Sequence, residues 1–217
     1  MAKKSWVLSD ALWERIEPLI PLPQRDADRE YVRKPGGGRR RADNRRILSG
    51  IFFVLRTGCH WNAVPERYGA ASTIHRRFQE WTRAGFFELI WEAGLAEYDE
   101  LQGIQWRWQA IDGATVKAPL GGEATGPNPT DRGKKKGVKR HLLVDGAGIP
   151  LSLWVSGANV HDVLGLASTL AAQLVTAPQR RVRHLCADRG YEGHKALETI
   201  IAPGYIPHVR TRRDEAD

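Results

Sequence analysis

The stretch WRWQAID, residues 106–112, decides the fold of the second half of the chain. It is a short apolar segment that ends on a carboxylate, and two more such segments, Val138–Val144 and Pro150–Ser156, follow it between turns. Asp145-Gly146 separates those two, and this dipeptide is a strong hairpin signal. The three segments therefore predict three consecutive strands.

Helices and strands alternate after these three strands. Val163–Leu174 and Gly193–Ile201 are predicted to be helices, whereas Val182–Asp188 and Ile206–Val209 are predicted to be strands. The order βββαβαβ predicts a mixed sheet with helices packed on it, which is an α/β domain.

Only helices are predicted before this domain. Ser9 can cap the first, a second covers about residues 45–55 and stops before Gly58, and Ser72 is predicted to cap a third. An amphipathic stretch then runs from residue 86 to about residue 101. The chain as a whole is therefore predicted to be α+β.

The pattern changes near Gly103 from helical spacing to short apolar segments. We place a domain boundary there, between an all-α domain over residues 1–102 and the α/β domain over residues 103–217.

The segment from residue 62 to residue 84 has the spacing of a helix-turn-helix. The outward face of its second helix is predicted to present a polar and cationic set of the kind that contacts base edges and phosphates in a major groove. The set is Thr73, Arg76, Arg77 and Glu80. The same pattern also suits any small helical bundle, so DNA binding and a purely structural bundle both stay open.

Residues 24–44 are polar and contain Pro35, a run of glycines and the three consecutive arginines Arg39, Arg40 and Arg41. This composition is typical of a flexible basic connector. It resembles an arm that contacts the phosphates of a DNA backbone, and a solvated linker is the equal alternative.

Charge and cysteine content narrow the class of protein. The chain of 217 residues carries 33 Lys and Arg against 25 Asp and Glu, a formal net charge of +8. This excess attracts polyanions, so nucleic acid is the leading partner, although a basic protein can also be merely soluble. Cys59 and Cys186 lie far apart without a CxxC partner, so neither a disulfide framework nor a zinc site is indicated.

No run approaches the roughly 18 apolar residues of a membrane span, so we expect a cytoplasmic protein without a membrane partner.

Two carboxylates stand at predicted strand ends, Asp112 in AIDGAT and Asp188 in CADRGY. In the predicted order the first and fourth strands lie side by side, so both carboxylates would meet at one edge of the sheet and share Mg²⁺. Two metal ions roughly 3.5 to 4 Å apart would activate a water or a 3′-hydroxyl for in-line attack on phosphate. The ordinary alternative is that each Asp is a turn or cap residue.

The loop between the first two predicted strands is strongly basic. It would clamp the DNA backbone beside the metals, with a solvated loop as the alternative. Its cationic residues are Arg132, Lys134, Lys135, Lys136, Lys139 and Arg140. Further along, Asp162 follows Asn159 and His161 and is predicted to be a helix N-cap.

Five segments form an ordered set of motifs. They are RTGCHW (56–61) with Val64-Pro65, IDGATVK (111–117), KRHLLVD (139–145), NVHD (159–162) and ADRGY (187–191). Together they resemble the DDE transposases of the insertion-sequence-five group, over nearly the whole chain. The resemblance implies an RNase H-like core that depends on Mg²⁺, with Mn²⁺ as a substitute, and that cuts the ends of an element and joins them to target DNA.

The resemblance also implies roles for particular residues and partners. Asp112 and Asp188 take the places of the first two catalytic carboxylates. The implied partner is double-stranded DNA, as terminal inverted repeats and as target, and the implied assembly is a homo-oligomer on that DNA.

The family needs a third carboxylate, a Glu on a helix after the last strand, and the chain ends at Asp217 before such a helix. Glu215 is the one later candidate, in a loop-like setting. We therefore expect a truncated copy, a first reading-frame product or a fragment, inactive or partial alone. The alternatives are a DNA-binding remnant or inhibitor of the full-length transposase, and an RNase H-like nuclease with other substrates, which the helix-turn-helix disfavours.

Overall fold

The structure is a computed structural model that describes residues 8–23, 30, 32, 34, 40–118, 121–131, 133, 135–178 and 181–210. The chain divides into two compact units, residues 1–91 and 92–217. This division precedes the boundary predicted near Gly103. Six residues named above lie outside the described residues: Pro35, Arg39, Arg132, Lys134, Glu215 and Asp217.

Unit 1 is helical in its described residues, as its sequence predicts. The α-helices of the chain's first half are α1 (Asp10–Ile16), α2 (Asn44–Thr57), α3 (Ala71–Arg83) and α4 (Phe86–Leu101), of which α4 continues into unit 2. Single 3₁₀ turns cover Glu17–Leu19, Trp61–Ala63 and Glu66–Tyr68.

Local signals set most of the helix ends. The hydroxyl of Ser9 accepts from the amide of Leu12, which confirms the predicted cap of α1. Helix α2 ends at Gly58, whose φ of 66° suits a residue without a Cβ. The predicted cap at Ser72 is wrong, because α3 already begins at Ala71 and its first turn has no side-chain cap. There, tertiary packing rather than a capping side chain sets the start of the helix.

Close packing of α2 against the residues that follow it forms the core of unit 1. A Cβ at Gly50 would lie 2.9 Å from Cβ of Tyr68 and 3.0 Å from Cδ1 of Ile74, so only glycine permits this approach. The fully buried apolar residues here are Ile47, Leu48, Ile51, Ile74, Trp81 and Phe86. The helix-turn-helix character of residues 62–84 stays a prediction.

Unit 2 is built on one sheet. Its strands are β1 (Trp108–Lys117), β2 (Gly126–Pro127), β3 (Lys136–Asp145), β4 (Pro150–Gly157), β5 (Arg183–Ala187) and β6 (Tyr205–Val209). Two helices of the unit are α5 (Asp162–Ala171) and α6 (His194–Ile201). The five predicted strands are all present, and β2 is an addition of two residues.

The sheet is mixed, as predicted. Its order is β2-β3-β1-β5-β6, and β4 also pairs with β3. The pairs β1/β3 and β3/β4 are antiparallel, whereas β1/β5 and β5/β6 are parallel. The prediction that the first and fourth long strands are neighbours is therefore confirmed by the β1/β5 pair.

The two faces of the sheet differ in burial. One face is covered by α5, which packs on β3 and β4, and by α6, which packs on β6. Ile111, Leu143 and Leu185 are buried on this side. Alternate residues on the opposite face, including Trp108 and Leu142, are exposed.

Cys59 and Cys186 are free thiols. Within the described part of the chain, no helix combines the length and the apolar character needed to cross a membrane.

Candidate active site

Asp112 and Asp188 lie next to each other on the neighbouring interior strands β1 and β5, Asp112 within β1 and Asp188 directly after β5. Ile111 of β1 is in parallel register with Ala187 of β5, and each Asp is the residue that follows. Neighbouring strands are about 5 Å apart, and residues in register present their side chains on the same face. The structure therefore brings the two predicted carboxylates together at one position of the sheet.

Each carboxylate is oriented by an amide close to it in the chain. Asp112 Oδ1 accepts from the amide of Gly113 at 2.7 Å, and Asp188 Oδ1 accepts from the amide of Gly190 at 2.9 Å. Both Asp residues are exposed. Among the described residues nothing donates to the second oxygen of either side chain, so each presents an oxygen that is free to bind a ligand.

The pair suits a hard divalent cation by donor type, since carboxylate oxygens are the ligands that Mg²⁺ prefers. It supplies two side chains rather than a full protein shell, which matches the way Mg²⁺ keeps several waters. No group of three or more His, Cys, Asp or Glu comes together as a metal site within the described ranges. The local geometry thus fits a cation held by two carboxylates.

Tyr191 lies behind the two carboxylates. It belongs to the 3₁₀ turn Arg189–Tyr191 that follows Asp188, and its ring is fully buried. Burial raises the pKa of its hydroxyl far above the ordinary value, and the charges of Asp162, Asp112 and Asp188 act in the same direction. The charges of three carboxylates therefore raise the pKa of one buried hydroxyl. Asp162 is the carboxylate that the sequence did not predict at this site.

The prediction that Asp162 caps a helix is wrong. His161 occupies the cap position of α5, and no side chain caps it. The carboxylate of Asp162 instead forms an ion pair with Lys139, whose Nζ is 3.2 Å from Oδ1 and also donates to Oδ2. Because the side chain of Lys139 is 12% exposed, it is less accessible to DNA than a clamp residue would be. Lys135, Lys136 and Arg140 are exposed.

A cationic cleft of ≈ 370 Å³ lies in unit 1. It brings together residues 40–42, at the end of the basic connector, and the polar face of α3, which are far apart in the sequence. Its polar lining residues are Arg40, Arg41, Arg46, Thr73, Arg76 and Arg77. Arg46 lies in the first turn of α2, a helix whose apolar stripe predicts packing rather than a functional site.

The prediction that Arg77 lies on the outward face of its helix is wrong. Its side chain is 4% exposed and donates to Asn44 Oδ1 at 2.9 Å. Glu80 lies 3.7 Å from Arg77 Nε and also binds Arg41 through both carboxylate oxygens. Burial lowers the pKa of Arg77 from its ordinary value. Arg77 therefore ties α3 to α2, whereas Arg76 is exposed.

Comparison with known families places this site in a class of proteins. A family model described as a transposase DDE domain matches residues 107–216, more than half of the chain, and a model described as a putative transposase of the IS4/5 family matches residues 8–91. The chain belongs to the DDE-domain transposase family.

Individual relatives come from insertion elements. The chain is 34% identical over 125 residues to the insertion element IS402 uncharacterized 16.2 kDa protein of Burkholderia cepacia, an alignment that covers 57% of this chain and 81% of that protein. It is 38% identical over 96 residues to a putative transposase for insertion sequence element IS402 from the same organism, covering 42% of this chain and 45% of that protein. It thus spans less than half the length of that putative transposase.

Two solved structures of the Mos1 transposase are also similar. Its paired-end complex with the left transposon end has a TM-score of 0.32 at 12% identity, over 84% of this chain and 62% of that one. Its strand transfer complex has a TM-score of 0.33 at 13% identity, over 84% and 61%.

Proposed function

We propose that this chain is a transposase of a bacterial insertion sequence, which binds the terminal inverted repeats of its element and uses Mg²⁺ to cut DNA and transfer the strand. One observation carries the proposal: Asp112, within β1, and Asp188, directly after β5, are neighbours on parallel strands, in a chain that belongs to the DDE-domain family. An RNase H-like core is part of the proposal.

The two carboxylates would hold the cation, and Mn²⁺ would substitute for Mg²⁺. Their anchoring to the amides of Gly113 and Gly190 orients them before the cation arrives, which lowers the cost of organising the site. When bound, the cation activates the attacking oxygen and stabilises the leaving oxygen of a phosphodiester. Both Asp residues are exposed, so a DNA backbone can reach them.

The cleft of unit 1 would bind the element's ends. Arg40, Arg41 and Arg76 are exposed cations around it, and Thr73 adds a neutral hydrogen-bonding group. Such a set neutralises backbone phosphates and positions a protein on a duplex. In unit 2, exposed Lys135, Lys136 and Arg140 would contact the DNA near the carboxylates, and we propose a homo-oligomer on DNA.

A second candidate function is DNA binding without cutting, as a remnant or an inhibitor of a complete transposase. The observation that favours it is that no third carboxylate joins Asp112 and Asp188 as a metal site within the described part of the chain. Two carboxylates bind a cation more weakly than three, so chemistry by this chain alone would be slow.

The test is to incubate the full chain with a DNA fragment that carries both ends of its element, in Mg²⁺, and to map any cuts by sequencing. A fragment of equal length with scrambled ends is the control. Cuts at the element boundaries support the transposase, and binding to the ends without cuts supports the second candidate. Cleavage at the same rate in both fragments, at positions unrelated to the element's ends, would overturn the proposal in favour of a nuclease with other substrates.

A further inference from the structure

A buried polar cluster lies behind the two carboxylates, on the face of the sheet that α5 covers. We define it as Lys139 and His141 of β3, Asp162 of α5 and Tyr191. His141 is fully buried and its Nε2 shares a hydrogen bond with the hydroxyl of Ser156, while its Nδ1 lies 3.8 Å from Asp162 Oδ1. Lys139 supplies the positive charge that offsets the carboxylate of Asp162.

Asp162 is in close contact with the backbone beside Asp112. A Cβ on Gly113 would overlap Oδ1 of Asp162 and would lie 3.4 Å from Cδ of Lys139. The carboxylate of Asp162 thus occupies the place where any other residue at position 113 would carry its side chain. The amide of this same Gly113 is the group that donates to Asp112 Oδ1.

Three buried atoms of the cluster have no hydrogen-bond partner among the described residues. They are Asp162 Oδ1, His141 Nδ1 and the hydroxyl of Tyr191. Asp162 Oδ1 still has the ion pair with Lys139, whereas His141 Nδ1 and the Tyr191 hydroxyl have no hydrogen bond. Leaving a buried polar atom unpaired costs about 1–3 kcal/mol, so two in one place are not what packing for stability alone would select. Buried polar groups of this kind are common where a site needs a fixed charge or geometry.

We propose that Asp162 is a positioning residue for Asp112: held in place by Lys139, it fixes Gly113 and so sets the direction in which Asp112 presents its oxygen to the divalent cation. This inference rests on the proposed function. It assigns Lys139 to the buried polar cluster instead of to the DNA backbone. Residues that orient metal ligands in this way matter nearly as much as the ligands themselves.

The test is the affinity of the full chain for Mn²⁺, measured by electron paramagnetic resonance of the free ion. Asp162→Asn keeps the shape of the side chain and removes its charge, and we expect it to weaken Mn²⁺ binding about tenfold, as the loss of a group that orients a metal ligand does. The matched control is Glu198→Gln, which removes an exposed carboxylate of α6 and should leave the affinity unchanged.

Gly113→Ala provides a second variant in case Asp162→Asn fails to fold. Its new methyl group would displace Asp162 Oδ1, so the same loss of affinity is expected. In the double variant with Asp162→Ala, Gly113→Ala should cause no further loss of Mn²⁺ affinity, because the carboxylate that the new methyl group would displace is already absent. Losses that simply add would overturn the inference, since the two residues would then act independently.

Two readouts separate positioning from stability and from the proposed function. If Asp162 were only structural, Asp162→Asn would lower the thermal midpoint and leave the Mn²⁺ affinity of the folded protein unchanged, which would overturn the inference. Asp112→Ala is included as a reference. If it abolishes Mn²⁺ binding while Asp162→Asn changes nothing, the inference alone fails. If Asp112→Ala binds Mn²⁺ as tightly as the wild type does, the metal site of the proposed function fails as well.

Discussion

Arg76 and Arg77 are neighbours in α3 with different surroundings. Arg77 is buried between Asn44 and Glu80, and its guanidinium lies 5.5 Å from the ring centroid of Trp81. Arg76 is exposed at the cationic cleft. One side chain therefore holds the helices together, and the other is available to a phosphate.

Replacing each arginine by alanine should separate these roles. Arg77→Ala leaves Asn44 Oδ1 without its donor and removes one of the two cations beside Glu80, so it should lower the free energy of unfolding by about 2 kcal/mol. Arg76→Ala should change stability by less than about 0.5 kcal/mol, weaken DNA binding and reduce the slope of log affinity against log salt by about one. Urea unfolding and binding at several salt concentrations measure both. Equal effects of the two variants on both quantities would contradict the assignment.

We expect His141 to make the stability of unit 2 depend on pH. Burial lowers its pKa below the ordinary 6.5, the carboxylate of Asp162 opposes this shift, and Lys139 adds to it. Below pH 6.5 the imidazole of His141 therefore binds a proton more readily in the unfolded chain than in the folded chain. This contribution to stability is present above that pH and is lost as the pH falls.

We expect the thermal midpoint of unfolding to decrease as the pH is lowered from about 7.5 to about 5.5, the range in which histidine titrates. His141→Gln keeps a hydrogen-bonding group for Ser156 but cannot be protonated, so its midpoint should fall less over the same range. The comparison with wild type removes the contribution of His184, whose pKa is also lowered. Identical pH dependence of the two proteins would exclude His141 as the source.

At the scale of elements, the β3–β4 hairpin depends on one carboxylate. Asp145 Oδ1 accepts from the amides of Ala147 and Ile149, and Oδ2 accepts from the amide of Gln105. Asp145 is buried, so these bonds take the place of water. The carboxylate fixes the turn and joins it to the segment that leads into β1.

Asp145→Ala should lower the free energy of unfolding by about 3 kcal/mol, because it leaves amides without an acceptor in a partly buried turn. Asp131→Ala is the control, since that carboxylate accepts from one amide, that of Gly133, and lies 3.9 Å from the exposed amine of Lys117. The control should lose less than about 1 kcal/mol. A loss for Asp145→Ala no larger than for Asp131→Ala would show that the hairpin does not depend on this side chain.

The strands that the sequence predicts are those with apolar residues facing the core. β1 continues beyond the predicted end at Asp112, because its pairing with β3 extends to Lys117↔Gly137. Side chains in that extension are exposed and carry no apolar pattern, so the sequence could not show it. β2 is two residues, Gly126–Pro127, and is defined only by its partner strand. Pairing across the sheet, rather than local sequence, forms both.

At the scale of the whole molecule, the sequence predicted the candidate carboxylates and missed their support. Asp112 and Asp188 each follow an apolar strand, which is a local signal. Lys139, Asp162 and Tyr191 come together only through the packing of α5 on β3, and no spacing in the sequence joins them. Arg77 is misplaced for the same reason: its polar character favours the surface, and its partner Asn44 lies on α2, 33 residues away in the sequence.

The central claim, that Asp112 and Asp188 share one cation, is tested most directly by iron-directed cleavage of the protein. Fe²⁺ replaces Mg²⁺, ascorbate and peroxide generate hydroxyl radicals at the bound ion, and mass spectrometry locates the breaks in the chain. We predict breaks beside both Asp112 and Asp188 in the wild type and the loss of both sets in either Asp112→Ala or Asp188→Ala. Breaks beside only one of them, or breaks that persist when the other Asp is replaced, would contradict the shared site.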